Sequence, residues 1–213
     1  MTRGRALASA AVAMLLLAGC GDGGSIGSTA SDADSVDVAA DDLVRLKQQA
    51  GIADCPVSTA THPATDDTLP DVSLPCLGGG RDVRLAGLEG PLVLNVWASY
   101  CAPCREELPV LQQLHEAAGD DLTVLGIDYD DPAPGAALQL AADAGVTFPS
   151  VADPGGDVRA DLEVIALPQT VFVDAGGSIV ATERRQLTSY GQAVELVEQH
   201  LGIDVDADRA GAP

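Results

Sequence analysis

Two cysteines separated by two residues, Cys101 and Cys104, form the part of the chain best suited to chemistry. The apolar run over residues 91–97 predicts a buried strand, and the spacing of apolar residues over 105–118 predicts a helix. The pair therefore lies where a strand turns into a helix, and the positive end of the helix dipole favours a thiolate there. By position we expect Cys101, at the exposed tip, to be the nucleophile and Cys104, one turn inward, to resolve the mixed disulfide.

A Cys-x-x-Cys pair can have three other uses. A purely structural disulfide remains an alternative interpretation of the pair. A zinc site needs a second pair of Cys or His residues, and no other pair in the chain has suitable spacing. Attachment of a c-type haem needs His directly after the second cysteine, and that position is Arg105. The sequence therefore favours thiol–disulfide chemistry.

Residues 96–104, Val-Trp-Ala-Ser-Tyr-Cys-Ala-Pro-Cys, resemble the active-site segment of the thioredoxin superfamily. With Asn95 before this segment and Glu107 after it, the chain is most similar to the extracytoplasmic reductase branch related to ResA and TlpA. Pro109 is similar to a helix proline of that superfamily. Residues 166–170, Ala-Leu-Pro-Gln-Thr, match a second motif, in which the proline is cis and lies against the cysteine pair.

The resemblance covers residues 69–203 and implies an α/β, thioredoxin-like fold. Its central mixed sheet is flanked by helices, with an N-terminal β-hairpin and an inserted helix–strand unit. The sequence pattern agrees with this architecture. The predicted elements are a hairpin of 71–77 with 82–86, a strand over 122–129, a helix over 134–144, a strand over 148–151, a helical turn over 158–162, a hairpin of 169–173 with 178–182, and a helix over 188–201.

The resemblance also implies roles around the cysteines. A cis Pro168 would leave the backbone of Leu167 free to pair with a substrate strand and would keep metal ions away from the thiols. Leu167 would tune the stability of the thiolate and contact the partner. Trp97 and Tyr100 are expected beside the site as substrate-binding residues.

Glu107 follows Cys104 by three residues, so both side chains fall on one side of the predicted helix. A partly buried carboxylate there would have a raised pKa and could accept the proton of Cys104. Asn95 occupies a strand position where many thioredoxins carry a buried acid, which favours Glu107 as the proton acceptor. An ordinary exposed helix acid remains the alternative.

The first nineteen residues predict an export signal. Arg3 and Arg5 precede an apolar run over residues 6–17 that is too short to span a bilayer comfortably. The run ends in Leu-Ala-Gly-Cys20, which resembles a bacterial lipoprotein box and implies lipidation of Cys20. An ordinary secretory signal with an incidental Cys20 is the alternative, and both export the protein.

The rest of the chain divides by composition. Residues 20–40 predict a flexible acidic tether, 41–68 an N-terminal arm with a short helix, 69–203 the main domain, and 204–213 a disordered tail. The three Asp residues at 128, 130 and 131 suggest either a solvated loop at a strand end or, less convincingly, a calcium site. We assign no chemistry to His62, His115 and His200.

Charge and cysteine number fit an exported protein. The chain has 32 acidic and 11 basic residues, a net charge of −21, which excludes nucleic acid as a partner. Once Cys20 carries lipid, four cysteines remain, which suits an oxidising compartment. Besides the active pair these are Cys55 and Cys76, which we expect to form a structural disulfide, with a second redox relay as the alternative.

The sequence therefore predicts a thiol–disulfide oxidoreductase on the outer face of the bacterial cytoplasmic membrane, held by a lipid anchor. Ala102 and Pro103 place no cation between the cysteines, which favours a reductase. The resemblance implies exported disulfide-containing proteins as substrates, apocytochrome c among them, and a CcdA-like membrane electron donor, without a cofactor or metal. The alternatives are an oxidase or isomerase, an inert binding lipoprotein, and an extracellular peroxidase. The peroxidase is disfavoured because peroxiredoxins need a Thr two residues before the reactive cysteine, and this position is Ser99.

Overall fold

The computed structural model describes residues 36–61, 65 and 67–205. The predicted leader, Cys20, the first part of the tether, His62 and residues 206–213 lie outside the described residues. Within the described part of the chain, no helix combines the length and the apolar character needed to cross a membrane.

A five-stranded mixed sheet forms the centre of the domain. Its strands are β3 (Leu92–Trp97), β4 (Thr123–Tyr129), β5 (Ser150–Asp153), β6 (Gln169–Val173) and β7 (Ile179–Glu183), in the order β5-β4-β3-β6-β7. Strands β3, β4 and β5 are parallel, whereas β6 and β7 run antiparallel to their neighbours. Strand β3 is therefore central, and its carboxyl end carries the cysteine loop.

Four helices and a small hairpin complete the fold. The helices are α1 (Asp41–Ala50), α2 (Ala102–Ala118), α3 (Pro134–Asp143) and α4 (Tyr190–Leu201), and the hairpin pairs β1 (Ser73–Leu74) with β2 (Val83–Arg84). Helix α2 begins three residues earlier than the sequence predicts. The cause is Cys101, whose Sγ accepts a hydrogen bond from Cys104 N and caps the first turn, where Pro103 is also tolerated.

The two faces of β3 are buried in different ways. Val93 and Trp97 lie in the core formed with the four helices, whereas Leu92, Leu94 and Val96 lie in a second core on the opposite face. That second core is covered by the β1–β2 hairpin and by the turns over residues 158–164. Side chains alternate along a strand, so Asn95 faces the helices together with Val93 and Trp97.

Buried residues also lie outside the predicted main domain, near both ends of the described part of the chain. Val38, in the predicted tether, is buried and its carbonyl accepts a hydrogen bond from Gly78 N at 2.9 Å. Val205, in the predicted tail, is also buried against the helical core. Burial of these apolar side chains keeps both short segments on the domain. A disulfide joins Cys55 to Cys76 and connects the arm to the body.

Candidate active site

Cys101 and Cys104 are joined by a disulfide at the amino end of α2. Cys101 is 7% exposed and Cys104 is 1% exposed, so Cys101 is the more accessible sulfur although it is not the exposed tip that the sequence predicts. Cys104 N donates to Cys101 Sγ at 3.2 Å. This amide, together with the helix dipole, would stabilise a Cys101 thiolate after reduction.

Glu107 lies one turn further along α2 and is completely buried. Its Oε1 accepts a hydrogen bond from Leu187 N at 2.8 Å, and its Oε2 accepts one from Asn95 Nδ2 at 3.1 Å. Burial, which outweighs these two hydrogen bonds, raises the pKa of Glu107 to about 7. Glu107 is therefore poised to exchange a proton near neutral pH, next to the buried Cys104.

Asn95 connects Glu107 to the sheet. Its Nδ2 also donates to Thr170 Oγ1 at 3.2 Å, and Asn95 and Thr170 are partners in the register of β3 and β6. Asn95 Oδ1 is buried and has no hydrogen-bond partner among the described residues. Strand β3 thus contributes a neutral donor, Asn95, and helix α2 contributes the buried carboxylate to which it donates, Glu107.

The segment before β6 faces the same region. The Leu167–Pro168 peptide bond is cis and Pro168 is buried. Leu167 is half-buried and lines a groove together with Cys101. The cysteine loop and the motif over residues 166–170 are therefore brought together, although about sixty residues separate them in the sequence.

The groove over Cys101 has a volume of about 380 Å³. Its walls include Tyr100 and Ile165, which are 62% and 80% exposed, so it presents apolar surface to solvent. Arg159 also lines the groove, with an ion pair to Asp130 at 3.0 Å and its guanidinium 5.4 Å from the centre of the Tyr129 ring. Sequence reasoning missed Ile165 and Arg159, because nothing in their local pattern marks them.

A larger cavity of about 580 Å³ lies elsewhere, between residues 65–71 and 160–163, and contacts neither active-site cysteine.

Trp97 differs from its predicted role. It is fully buried, so it supports the cysteine loop from below and does not reach a substrate, whereas Tyr100 and Leu167 do line the groove. Gly126 on β4 makes room for it, since a Cβ at that position would lie 2.7 Å from Trp97 Nε1. The absence of a side chain at Gly126 thus sets the position of the indole beneath the loop.

The prediction of a solvated acidic loop after β4 is wrong for two of its three residues. Asp128 and Asp131 are buried, and Asp130 is the exposed one. Asp131 Oδ2 accepts a hydrogen bond from Ser99 N at 2.7 Å, and its Oδ1 accepts one from Ala133 N at 2.9 Å. These bonds explain the burial of Asp131, which holds the backbone of the cysteine loop against the end of β4.

Asp128 lies beside Trp97 in the register of β3 and β4. Burial is the main cause that raises the pKa of Asp128 to about 9, and the charge of Asp131 acts in the same direction. Asp128 is therefore protonated at neutral pH. Within the part of the chain that the structure describes, no group of three His, Cys, Asp or Glu side chains is placed to bind a metal ion.

Comparison with known proteins identifies the family of this chain. Residues 65–182 match the AhpC/TSA family. The Thioredoxin-like protein YneN of Bacillus subtilis is 33% identical over 138 residues, which cover 63% of this chain and 77% of YneN. The Thiol:disulfide interchange protein DsbE of Pseudomonas fluorescens is 35% identical over 111 residues, which cover 52% of this chain and 61% of DsbE, less than two thirds of that relative.

Solved structures give the same fold. The crystal structure of a secreted thiol-disulfide isomerase from Corynebacterium glutamicum superposes with a TM-score of 0.52 at 28% identity, over 63% of this chain and 83% of that one. The mixed sheet and its flanking helices are thus those of a thioredoxin-like domain.

Proposed function

Because the chain belongs to the AhpC/TSA family of thioredoxin-like proteins, we propose that it is an extracytoplasmic thiol–disulfide oxidoreductase that reduces disulfides in exported proteins. The observation that carries the proposal is the asymmetry of the cysteine pair. Cys101 opens onto an apolar groove, whereas Cys104 is buried one turn from Glu107. A nucleophilic and a resolving cysteine need these two environments.

The reaction takes place in two exchanges. The Cys101 thiolate attacks one sulfur of the substrate disulfide, and the other substrate sulfur leaves as a thiolate and takes a proton. Cys104 then loses its proton to Glu107 and attacks Cys101, which releases the first substrate sulfur as a second thiolate. The substrate gains two electrons, and the Cys101–Cys104 pair loses them by forming its disulfide.

Reduction is the favoured direction because no cation lies between the cysteines. Ala102 and Pro103 separate them, so the thiolate has the Cys104 amide and the helix dipole as its main support. A less stabilised thiolate makes the pair more reducing. Relatives named as interchange proteins, and a neighbour named as an isomerase, support exchange chemistry in either direction.

The proposed location rests on the predicted export signal and on the secreted relative from Corynebacterium glutamicum. In this proposal Cys20 carries the lipid that anchors the domain to the outer face of the membrane. Electrons come from a CcdA-like membrane donor. Apocytochrome c is one expected substrate, because its cysteines must be reduced before haem is attached.

The reduction potential of the Cys101–Cys104 pair at pH 7 tests the direction. A value near or below about −250 mV with fast exchange supports a reductase, and a value above about −180 mV indicates an oxidase or isomerase. A pair below about −300 mV that exchanges slowly would be a structural disulfide only.

A trapping experiment tests the substrate class. Cys104→Ala leaves Cys101 without its resolving partner, so mixed disulfides with exported proteins should accumulate and disappear on treatment with a reductant. Cys101→Ala is the matched control and should trap nothing. If Cys104→Ala also traps no exported protein, the chain is a binding lipoprotein, and rapid peroxide consumption by the reduced protein would instead identify a peroxidase.

A further inference from the structure

The second disulfide, between Cys55 and Cys76, contacts a buried lysine. Lys47 Nζ lies 3.4 Å from Cys76 Sγ, 2.9 Å from Gly79 O and 3.2 Å from Asp54 Oδ1. The Lys47 side chain is 5% exposed, whereas that of Asp54 is 85% exposed. Water weakens the attraction of Asp54 for the ammonium. Of the three partners of Lys47 Nζ, the disulfide sulfur is therefore the one buried atom that can gain a charge, when the disulfide is reduced.

The two sulfurs of this disulfide have opposite surroundings. Cys76 Sγ faces the Lys47 ammonium, and Cys55 Sγ lies 3.4 Å from the carbonyl oxygen of Ser150. A positive charge stabilises a thiolate, whereas a carbonyl oxygen can only accept a hydrogen bond from a protonated thiol. After reduction, Cys76 would therefore be the thiolate and Cys55 the thiol.

The local backbone is shaped to admit the lysine. Gly78 has a φ of +76°, and a Cβ there would lie 2.9 Å from Lys47 Cβ. Gly79 supplies the carbonyl that orients the ammonium. A cavity of about 230 Å³ borders Lys47, Asp54 and the exposed Gly80, so solvent comes close to Lys47, whereas Cys55 and Cys76 themselves are buried, 3% and 2% exposed.

We propose that Cys55–Cys76 is a second redox-active site, in which Lys47 makes the disulfide easier to reduce by stabilising Cys76 as a thiolate. The site is independent of the Cys101–Cys104 pair, and its reductant is a dithiol.

Reduction of the Cys55–Cys76 disulfide takes two thiol–disulfide exchanges. A thiolate of the dithiol attacks Cys55 Sγ, the bond between Cys55 and Cys76 breaks, and Cys76 leaves as a thiolate bound to Lys47. The second thiol of the reductant then displaces Cys55, which takes up a proton and donates it in a hydrogen bond to Ser150 O. The disulfide gains two electrons and one proton, and the dithiol becomes a disulfide and releases one further proton to solvent.

The test uses the full chain with Cys20, Cys101 and Cys104 replaced by alanine, so that only the second disulfide titrates. Equilibration with dithiothreitol gives its equilibrium constant for reduction. We expect Lys47→Met to lower this constant about tenfold, equivalent to about 30 mV for a two-electron couple. Arg45→Met is the matched control, because Arg45 is an exposed cation on the same helix, and it should change the constant less than twofold.

A second variant keeps the test valid if Lys47→Met folds poorly. Asp54→Asn removes the exposed charged partner of the ammonium, so it should raise the equilibrium constant, the opposite sign to Lys47→Met, by less than Lys47→Met lowers it because Asp54 is 85% exposed. The pH dependence of alkylation of the reduced chain should also give Cys76 a pKa below that of an ordinary thiol. Cys76 should be alkylated faster than Cys55. An unchanged constant in Lys47→Met, an ordinary Cys76 thiol, or loss of the fold on reduction would each overturn the proposal.

Discussion

Asn95 and Glu107 are joined by a hydrogen bond of 3.1 Å between strand β3 and helix α2, in a place that solvent does not reach. The donor is a neutral amide, so it holds the carboxylate in position without supplying a compensating charge. The cost of burial therefore stays largely uncompensated, and the pKa of Glu107 rises to about 7. An acid in this state can take a proton at the pH at which thiols exchange.

The first prediction concerns stability. Because the folded chain holds the Glu107 proton up to about pH 7 and the unfolded chain releases it near pH 4.5, the free energy of unfolding falls as pH rises between these values. Glu107→Gln removes this loss. Relative to the wild type, the variant should gain on the order of 3 kcal/mol between pH 4 and pH 8, measured by urea unfolding of the oxidised protein. Glu106→Gln, at an exposed neighbour, should show no such gain.

The second prediction concerns the resolving step. Without the carboxylate, Cys104 must lose its proton to solvent, so Glu107→Gln should slow release of the substrate from the mixed disulfide about 10- to 100-fold at pH 7.5. In the wild type this rate should rise with pH through an inflection near pH 7, which the variant lacks. Stopped-flow fluorescence of Trp97, the single tryptophan, provides the measurement. A variant with the same inflection as the wild type would exclude Glu107 as the proton acceptor.

Much of the fold could be predicted from local patterns. The apolar run of β3, the helix after it and the turn at Asp174 have signals within a few residues. The burial of Asp128 and Asp131 has no such signal, because acids after an apolar strand usually face solvent. Their burial depends on Ser99 N, which lies on another strand connection and provides the donor for Asp131.

The same limit applies to the finer parts of the site. The sequence places Glu107 on the helix face near Cys104, but its second donor is Leu187 N, eighty residues away. The contact of Lys47 with Cys76 depends on the path of a glycine turn. Residues so far apart in the sequence leave no local sequence pattern that predicts their contact, so only the folded structure reveals these contacts.

The third prediction tests the role of Asp131. Asp131→Ala leaves Ser99 N and Ala133 N without their acceptor, which should lower the free energy of unfolding by roughly 1–3 kcal/mol. It should also loosen the loop and speed alkylation of the reduced Cys101 several-fold. Asp130→Ala is the matched control, since its carboxylate is half-exposed and its ion pair with Arg159 should contribute less than about 1 kcal/mol. Equal losses in the two variants would contradict a specific role for Asp131.

The fourth prediction concerns the groove. Ile165 is 80% exposed beside Cys101, and covering an isoleucine side chain with substrate is worth roughly 1.5–3 kcal/mol when burial is complete. Because a substrate covers Ile165 only in part, Ile165→Ser should raise the KM for a protein disulfide about 5- to 10-fold. The kcat and the reduction potential of the Cys101–Cys104 pair should not change. Val180→Ser, at an exposed apolar residue on β7 outside the groove, should leave the KM unchanged. Reduction of a small disulfide reagent should be equally fast in both variants, because such a reagent does not fill the groove. If Ile165→Ser slows the small reagent as much as the protein, the residue acts on the cysteines and not on substrate binding.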